Sequence, residues 1–232
     1  ILGHHFCPTW AWRTSITAPT RGGATCTAFD YEQAKAGVNA YAVSAKHMVD
    51  LKASGCVPTA ESLWKNYEYF IKAVIPEAEK FGIKLALHPD DPPIPRLGDV
   101  ERIMISRENI RRAVNDVVKS DYLGITMCQA NYVIMGESLP EVIKEFRDKI
   151  FFIHFRNTVG SPEAFRETFH DNGVIDMAEV LTISGENRVD VPIRVDHVPT
   201  MAGEVSTLPG YDAMGRMFAI GYLKGLLQAL SL

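Results

Sequence analysis

Apolar residues along this chain of 232 residues alternate between two rhythms. Short uninterrupted runs read as buried strands, and longer stretches with apolar residues every three or four positions read as helices. Residues 1–7 read as a strand, followed by an irregular stretch, Thr14–Thr27, rich in Thr, Pro and Gly. Residues 29–53 read as a helix closed by Gly55 and Pro58. From Ala60 to Lys80, Leu63, Tyr67, Phe70, Ile71 and Val74 recur at helical spacing, with Gly82 at the exit and Pro76 placed to kink the last turns. IKLAL (83–87) is the next strand, and Ser106 is a plausible N-cap for a helix through Val118 with Ile110, Val114 and Val117 inward. LGITM (123–127), a helix over Leu139–Arg147, FFIHF (151–155), a long loop, a helix near Ile175–Ile183, PIRV (192–195) and a helix from Tyr211 to Leu230 complete the reading.

This alternation predicts a parallel α/β architecture. It amounts to about five βα units, whereas a closed barrel has eight in a typical length of ~250 residues. Because the first apolar run opens at Ile1, the expectation is a single, partial barrel domain over residues 1–232 whose first strands lie outside this sequence.

Four successive strands end on metal-type ligands: His88, Cys128, His154 and Asp196. Singly, each has an ordinary explanation: a strand cap, a small buried hydrophobe, a core histidine and a turn cap. Jointly they differ, because neighbouring parallel strands of an α/β barrel point their carboxyl ends at one rim, where such folds build active sites. Two imidazoles, a thiolate and a carboxylate suit Zn²⁺ or another late transition metal better than Mg²⁺.

Around these positions lie acid/base candidates. Period-two alternation puts Arg194 and Asp196 on one face, with His197 beginning the loop, either as a proton-transfer group at neutral pH or as a further metal ligand or loop-orienting residue. Tyr211, after Pro209-Gly210, is either a proton donor over the rim or an aromatic staple at a helix start. Arg156 and Asn157 follow the His154 strand and are expected to hold a substrate carboxylate or hydroxyl. Asp90 and Asp91, in a proline-stiffened loop, either contact hydroxyls or cap the turn; Trp10, Trp12 and Arg13 are expected at the rim beyond the first strand. Of His4 and His5, only one is expected to face inward.

Composition narrows the function. With 47% hydrophobic and 22% charged residues, and a formal charge of −4, the chain has no basic field for nucleic acid and no cationic face for a membrane. No apolar run reaches membrane-spanning length, and the first ten residues lack the pattern of a signal peptide. Four scattered cysteines without CxxC fit free thiols in a reducing cytoplasm. There is no GxGxxG, Walker-type loop or G-x-S-x-G, which argues against nucleotide phosphate and serine hydrolase chemistry.

The stretches LALHPDDPP (85–93), TMCQ (126–129), KIFFIHFRN (149–157), ETFHDNG (167–173), PIRVDHVPTMAGE (192–204) and PGYDAMGRMFAIGYLKGLL (209–227) resemble mannonate dehydratase, in order and spacing, from about residue 81 onward. The resemblance implies a xylose-isomerase-like TIM (β/α)8 barrel, represented by its C-terminal five βα units, that dehydrates D-mannonate to 2-keto-3-deoxy-D-gluconate in hexuronate degradation. It implies a divalent metal, Mn²⁺ in the usual description with Fe²⁺, Co²⁺ or Zn²⁺ as alternatives, on His88, Cys128, His154 and Asp196. His197 and Tyr211 fall on the acid/base positions, with Arg194 in support and their division of labour open. The expected partner is a small sugar acid, in a cytoplasmic homo-oligomer with no nucleic acid or membrane partner. Ala130-Asn131-Tyr132 depart from the small residues more usual in the family. The rival readings are a metal-dependent sugar isomerase or epimerase on the same barrel, a structural metal site in a binding protein, and a catalytically inactive fragment.

Overall fold

The computed structural model describes residues 1–8, 12–40, 55 and 57–232. In chain order its elements are β1 (Leu2–His5), β2 (Ser15–Pro19), β3 (Thr25–Asp30), α1 (Tyr31–Lys35), α2 (Ala60–Lys80), β4 (Leu85–His88), β5 (Arg96–Leu97), β6 (Val100–Glu101), α3 (Arg107–Arg111), β7 (Leu123–Cys128), α4 (Gln129–Ile134), α5 (Leu139–Phe146), β8 (Ile150–Phe155), β9 (Thr158–Gly160), β10 (Ala164–Glu167), α6 (Met177–Glu186), β11 (Ile193–Val195) and α7 (Ala213–Leu230).

Five strands form one parallel sheet in the order β1-β4-β7-β8-β11, so each of the five βα units supplies one strand. Alternation divides each strand between two environments. Leu85, Leu87, Leu123, Ile125, Met127, Ile153 and Phe155 face the helices and pack with Leu63, Tyr67, Ile71 and Ile75 of α2 in the main core. The intervening residues face the concave side. The register sets His5 opposite His88, Cys128 opposite His154, and Arg194 opposite His154, so polar residues on that side come level at the carboxyl ends.

The helices are anchored by local chemistry. Thr59 and Ser62 close α2 with a reciprocal capping box, and Ser106 caps α3 by accepting from the Asn109 amide. Beyond α3 the helical path widens into a π-turn over Arg112–Asp116.

Three sequence expectations are corrected. Thr14–Thr27 is not irregular: β2 and β3 pair there as antiparallel strands and join β10 and β9 in a second sheet, ordered β2-β3-β10-β9. The helix expected over 29–53 begins only at Tyr31, because Phe29 and Asp30 belong to β3, and α1 ends at Lys35; residues 41–54 lie outside the described ones. This second sheet closes over a separate core containing Trp12, Phe29, Leu97 and Phe165. It lies at the carboxyl-end side, where the segment leading into β2 brings Arg13, and β10 brings Glu167, to residues of the first sheet. The last helix starts at Ala213, leaving Tyr211 in the preceding loop. Among the described residues, no helix is long and apolar enough to cross a membrane.

Gly124 shows how closely β7 and β8 approach. A Cβ there would lie 2.2 Å from the Lys149 carbonyl oxygen and 2.6 Å from the Phe151 ring, and the backbone oxygen has no rotamer by which to yield. Gly124→Ala is therefore expected to destabilise the protein by about 1–3 kcal/mol, read as a lowered urea midpoint with an unchanged slope.

Candidate active site

The carboxyl ends of the parallel strands open into a cavity of about 630 Å³ whose lining includes His88, His154, Arg194, Asp196, His197 and Tyr211. Donor atoms of His88, Cys128 and His154 lie within 4.8 Å of one another. His88 Nε2 is 3.1 Å from His154 Nδ1, which in turn is 3.4 Å from Asp196 Oδ2. Asp196 follows β11 directly, fixed by its amide donating to the Phe155 carbonyl. All four nominated ligands are thus neighbours, three of them mutually and the fourth through His154.

The donor set fits a divalent ion. His88 Nδ1–H donates to the Pro89 carbonyl at 2.6 Å, which leaves the Nε2 lone pair toward the cluster. Burial holds His88 neutral, down to about 4, and burial together with His88 takes His154 to about 3. Two neutral imidazoles, one thiolate and one carboxylate would balance a double positive charge. Asp196 Oδ1 is buried without a hydrogen-bond partner, its nearest cation being Arg194 at 3.4 Å. Burial, partly offset by Arg156 and reinforced by Asp196, pushes the Cys128 thiol up to about 12, so without a cation it stays protonated and donates to Asn131 Oδ1 at 3.1 Å. Arg156 Nη1, 3.5 Å from Cys128 Sγ, is the fixed positive charge that favours the thiolate.

Beside this cluster stands a proton-transfer pair. His197 Nε2 and the Tyr211 hydroxyl are 2.8 Å apart, with rings edge to face. The other imidazole nitrogen, Nδ1, is 3.1 Å from Glu167 Oε1 and 3.2 Å from Arg13 Nη2. The two Nη2 protons of Arg13 already go to Asp91 Oδ2 at 2.8 Å and Glu167 Oε1 at 3.0 Å. Nδ1 therefore carries the proton and donates to Glu167, and Nε2 presents a lone pair that accepts from Tyr211. Burial raises the Tyr211 phenol above its usual range, which keeps it a donor.

Local structure builds this pair. His197 adopts φ 42°, a left-handed conformation that costs a non-glycine residue on the order of 1–3 kcal/mol and turns its ring off the β11 axis. Gly210, at φ 86°, makes the reverse turn that brings Tyr211 back, and its carbonyl accepts from the Val198 amide at 2.8 Å. The Asp212 carboxylate pins the loop by accepting from the Thr207 and Leu208 amides and the Thr200 and Ser206 hydroxyls.

Of the polar residues expected at the substrate, Asp91 lines this cavity, whereas Arg13, Asp90, Arg156 and Asn157 do not. Arg13 and Arg156 have no exposed side chain; they are held by Asp91 and Glu167 in a buried four-charge cluster. Asn157 uses its amide on the His170 and Ile175 carbonyls and the Thr158 and Ile175 amides, closing the excursion that carries β9 and β10. Asp90 accepts from the Met104 amide and sits 3.5 Å from Arg102. Burial and internal partners hold all four away from the cavity, although the buried Arg13 Nε has no hydrogen-bond partner. Trp12 is likewise core, donating to the Val38 carbonyl, and Trp10 lies outside the described residues. As expected, only one of His4 and His5 faces inward: His5 is level with His88, its ring 4.2 Å away, while His4 is level with Leu87 and packs on Phe70, although both touch the cavity lining.

Glu167 is the residue that sequence reasoning missed. Burial alone would raise its carboxyl, but Arg156 and His197 outweigh this and hold it at about 2. The available signal was indirect: two arginines nominated close to the site require buried carboxylates.

An arc of parallel strands with a donor cluster and acid/base groups at its carboxyl ends defines the xylose-isomerase-like TIM-barrel class. A xylose isomerase domain protein from Planctomyces limnophilus shares this fold at TM-score 0.53 and 16% identity, over 75% of this chain and 58% of that one. The sequence model of D-mannonate dehydratase (UxuA) matches residues 2–232, and the chain belongs to that family. The crystal structure of mannonate dehydratase from Streptococcus suis serotype 2 superposes at TM-score 0.84 with 31% identity, covering 98% of this chain and 66% of that one. Mannonate dehydratase of Brachyspira hyodysenteriae is 37% identical over 174 residues, which is 73% of this chain and 48% of the relative. The chain spans about half the length of the first curated relatives it matches.

Two outcomes are expected. Cys128→Ser weakens divalent-metal binding by at least the roughly 10–100-fold that loss of a supporting partner costs, measured by elemental analysis after equilibrium dialysis. Glu167→Gln leaves two buried guanidiniums facing one carboxylate and lowers stability by about 3–5 kcal/mol in urea unfolding.

Proposed function

We propose that this chain carries the metal-dependent dehydration of D-mannonate to 2-keto-3-deoxy-D-gluconate, acting as a hydro-lyase. The observation that carries the reading is the His197–Tyr211 pair, at 2.8 Å, lining one cavity with His88 and His154, behind which Cys128 completes a cluster of three donors. Family membership supports the substrate and the reaction.

His88, Cys128, His154 and Asp196 would hold the divalent ion, with Mn²⁺ implied by the family and Fe²⁺, Co²⁺ or Zn²⁺ compatible with the thiolate. When bound, the ion supplies Lewis-acid stabilisation of the negative charge that develops as the C2 proton leaves.

The remaining chemistry belongs to the side chains. His197 Nε2, its lone pair fixed by the Nδ1–H bond to Glu167, is the base that takes the C2 proton. The carbon–hydrogen electrons form the C2–C3 double bond as the C3–O bond breaks. The Tyr211 hydroxyl, kept protonated by burial, gives its proton to the departing oxygen, which leaves as water. The imidazolium then returns a proton to the phenolate along the bond they share, and the enol relaxes to the 2-keto acid. Each turnover ends with both groups as they began. Arg194, 5.3 Å from the Tyr211 ring and 3.4 Å from Asp196 Oδ1, adds positive charge where the phenolate forms.

His197→Asn and Tyr211→Phe are each expected to retain bound metal and lower kcat on the order of 100–10,000-fold, followed by release of 2-keto-3-deoxy acid from D-mannonate. Full turnover in both variants, or isomerisation of a neutral aldose in place of water loss by the unaltered protein, would overturn the proposal.

A further inference from the structure

Arg216, in the first turns of α7, lies in the same cavity wall as Tyr211, and the sequence reading gave it no role. Its guanidinium is 5.0 Å from the Tyr211 ring, while that of Arg194 is 5.3 Å from the same ring. The two differ in their compensation. Arg194 has Asp196 Oδ1 at 3.4 Å, whereas Arg216 has no carboxylate within ion-pair distance among the described residues. Its Nε is buried and has no hydrogen-bond partner.

A buried guanidinium donor left unpaired is costly. Contact with the phenol ring recovers part of that cost. A second cation over the same ring then adds repulsion. An anion placed against Arg216 would answer all three conditions: it would accept from the orphaned Nε–H, neutralise the uncompensated charge and screen the two guanidiniums from each other. The guanidinium fork also matches a carboxylate with two parallel bonds, which a neutral hydroxyl cannot supply.

We propose that Arg216 is the residue that selects an acid over a neutral sugar, by receiving the carboxylate of the hexonate substrate beside Tyr211. This deepens the dehydratase reading and rests on it for the identity of the sugar acid, but not for the selection of an anion. Tyr211 and the substrate carboxylate would then share one cation, which ties the position of C2, adjacent to the carboxylate, to the proton-transfer pair. A guanidinium that only stapled the Tyr211 ring would affect turnover and stability, but not the preference for an acid.

The test is calorimetric titration of the metal-loaded protein with D-mannonate and, in parallel, with the uncharged polyol D-mannitol. Arg216→Met is expected to weaken D-mannonate binding by roughly 10–100-fold with D-mannitol binding unchanged, and to raise KM more than it lowers kcat. Arg216→Lys, which keeps the charge but loses the fork, is expected to weaken D-mannonate binding at least threefold while retaining preference for the acid; it carries the test if the methionine variant fails to fold. Unchanged D-mannonate affinity in the foldable variants, or equal weakening toward both ligands, overturns the inference. Failure of the two proposals is distinguishable. A protein that binds hexonates through Arg216 yet releases no 2-keto-3-deoxy acid sinks the dehydratase reading alone. One that dehydrates D-mannonate with an affinity indifferent to Arg216 sinks this inference alone.

Discussion

Arg13 and Arg156, neither with any exposed side chain, face Asp91 and Glu167 across distances of 2.8–3.0 Å or less, and the site is assembled on this neutral cluster. Its members come from four places: the segment before β2, the loop after β4, the end of β8 and the end of β10. Two charges of each sign cancel, so the cluster survives burial, while removing any one leaves an uncompensated charge that typically costs 3–5 kcal/mol. The cluster therefore locks the second sheet to the carboxyl ends of the first. A loosely attached sheet could not hold Glu167 against His197 Nδ1.

The same cluster separates two electrostatic tasks over a short distance. Arg156 reaches past Asp91 and Glu167 to Cys128 Sγ and Asn131 Oδ1, placing positive charge behind the one ligand that must lose a proton to bind a cation. In the proposed reaction, Glu167 places negative charge behind the imidazole that would gain a proton. Donor cluster and acid/base pair thus draw opposite polarities from one buried core. Orientation by a buried, ionised carboxylate also fixes the His197 tautomer before substrate arrives, so that no reorganisation is needed in the chemical step.

The parallel sheet was legible because its central strands are mostly apolar runs separated by polar loops, and their ends could be aligned without knowing register. His88, Cys128, His154 and Asp196 could be put on one rim for that reason, since adjacency of parallel strand ends follows from the fold class. The antiparallel sheet was not legible. Its strands, SITAP and TCTAFD, are rich in Thr and Ala, and β3 pairs with β10 across more than a hundred residues, a contact that no local pattern announces. Missing that sheet had a chemical consequence. Arg13, Arg156 and Asn157 were recognised as polar residues near a rim, but nothing in the sequence showed Glu167 beneath them. They were therefore assigned outward to a ligand when their partners lie inward. Tyr211 could be placed only approximately, because the Asp212-centred loop rather than the helix positions it.

This arrangement also accounts for why His197 occupies a conformation that glycine would adopt more readily. Continuing β11 in extended form would carry residue 197 to the face opposite Asp196, away from the cavity. The left-handed turn at φ 42° returns its ring to the Asp196 side, with Nε2 3.8 Å from Asp196 Oδ2. Consecutive residues can then serve two different functions, one as donor to a cation and the next in proton transfer. The strain is offset at both ends of the ring, by Glu167 on Nδ1 and Tyr211 on Nε2, so the conformation is held by its hydrogen bonds rather than by intrinsic preference. A glycine at 197 would relax the backbone and lose the imidazole. The sequence keeps the histidine because the surrounding charges hold a geometry that its own backbone disfavours.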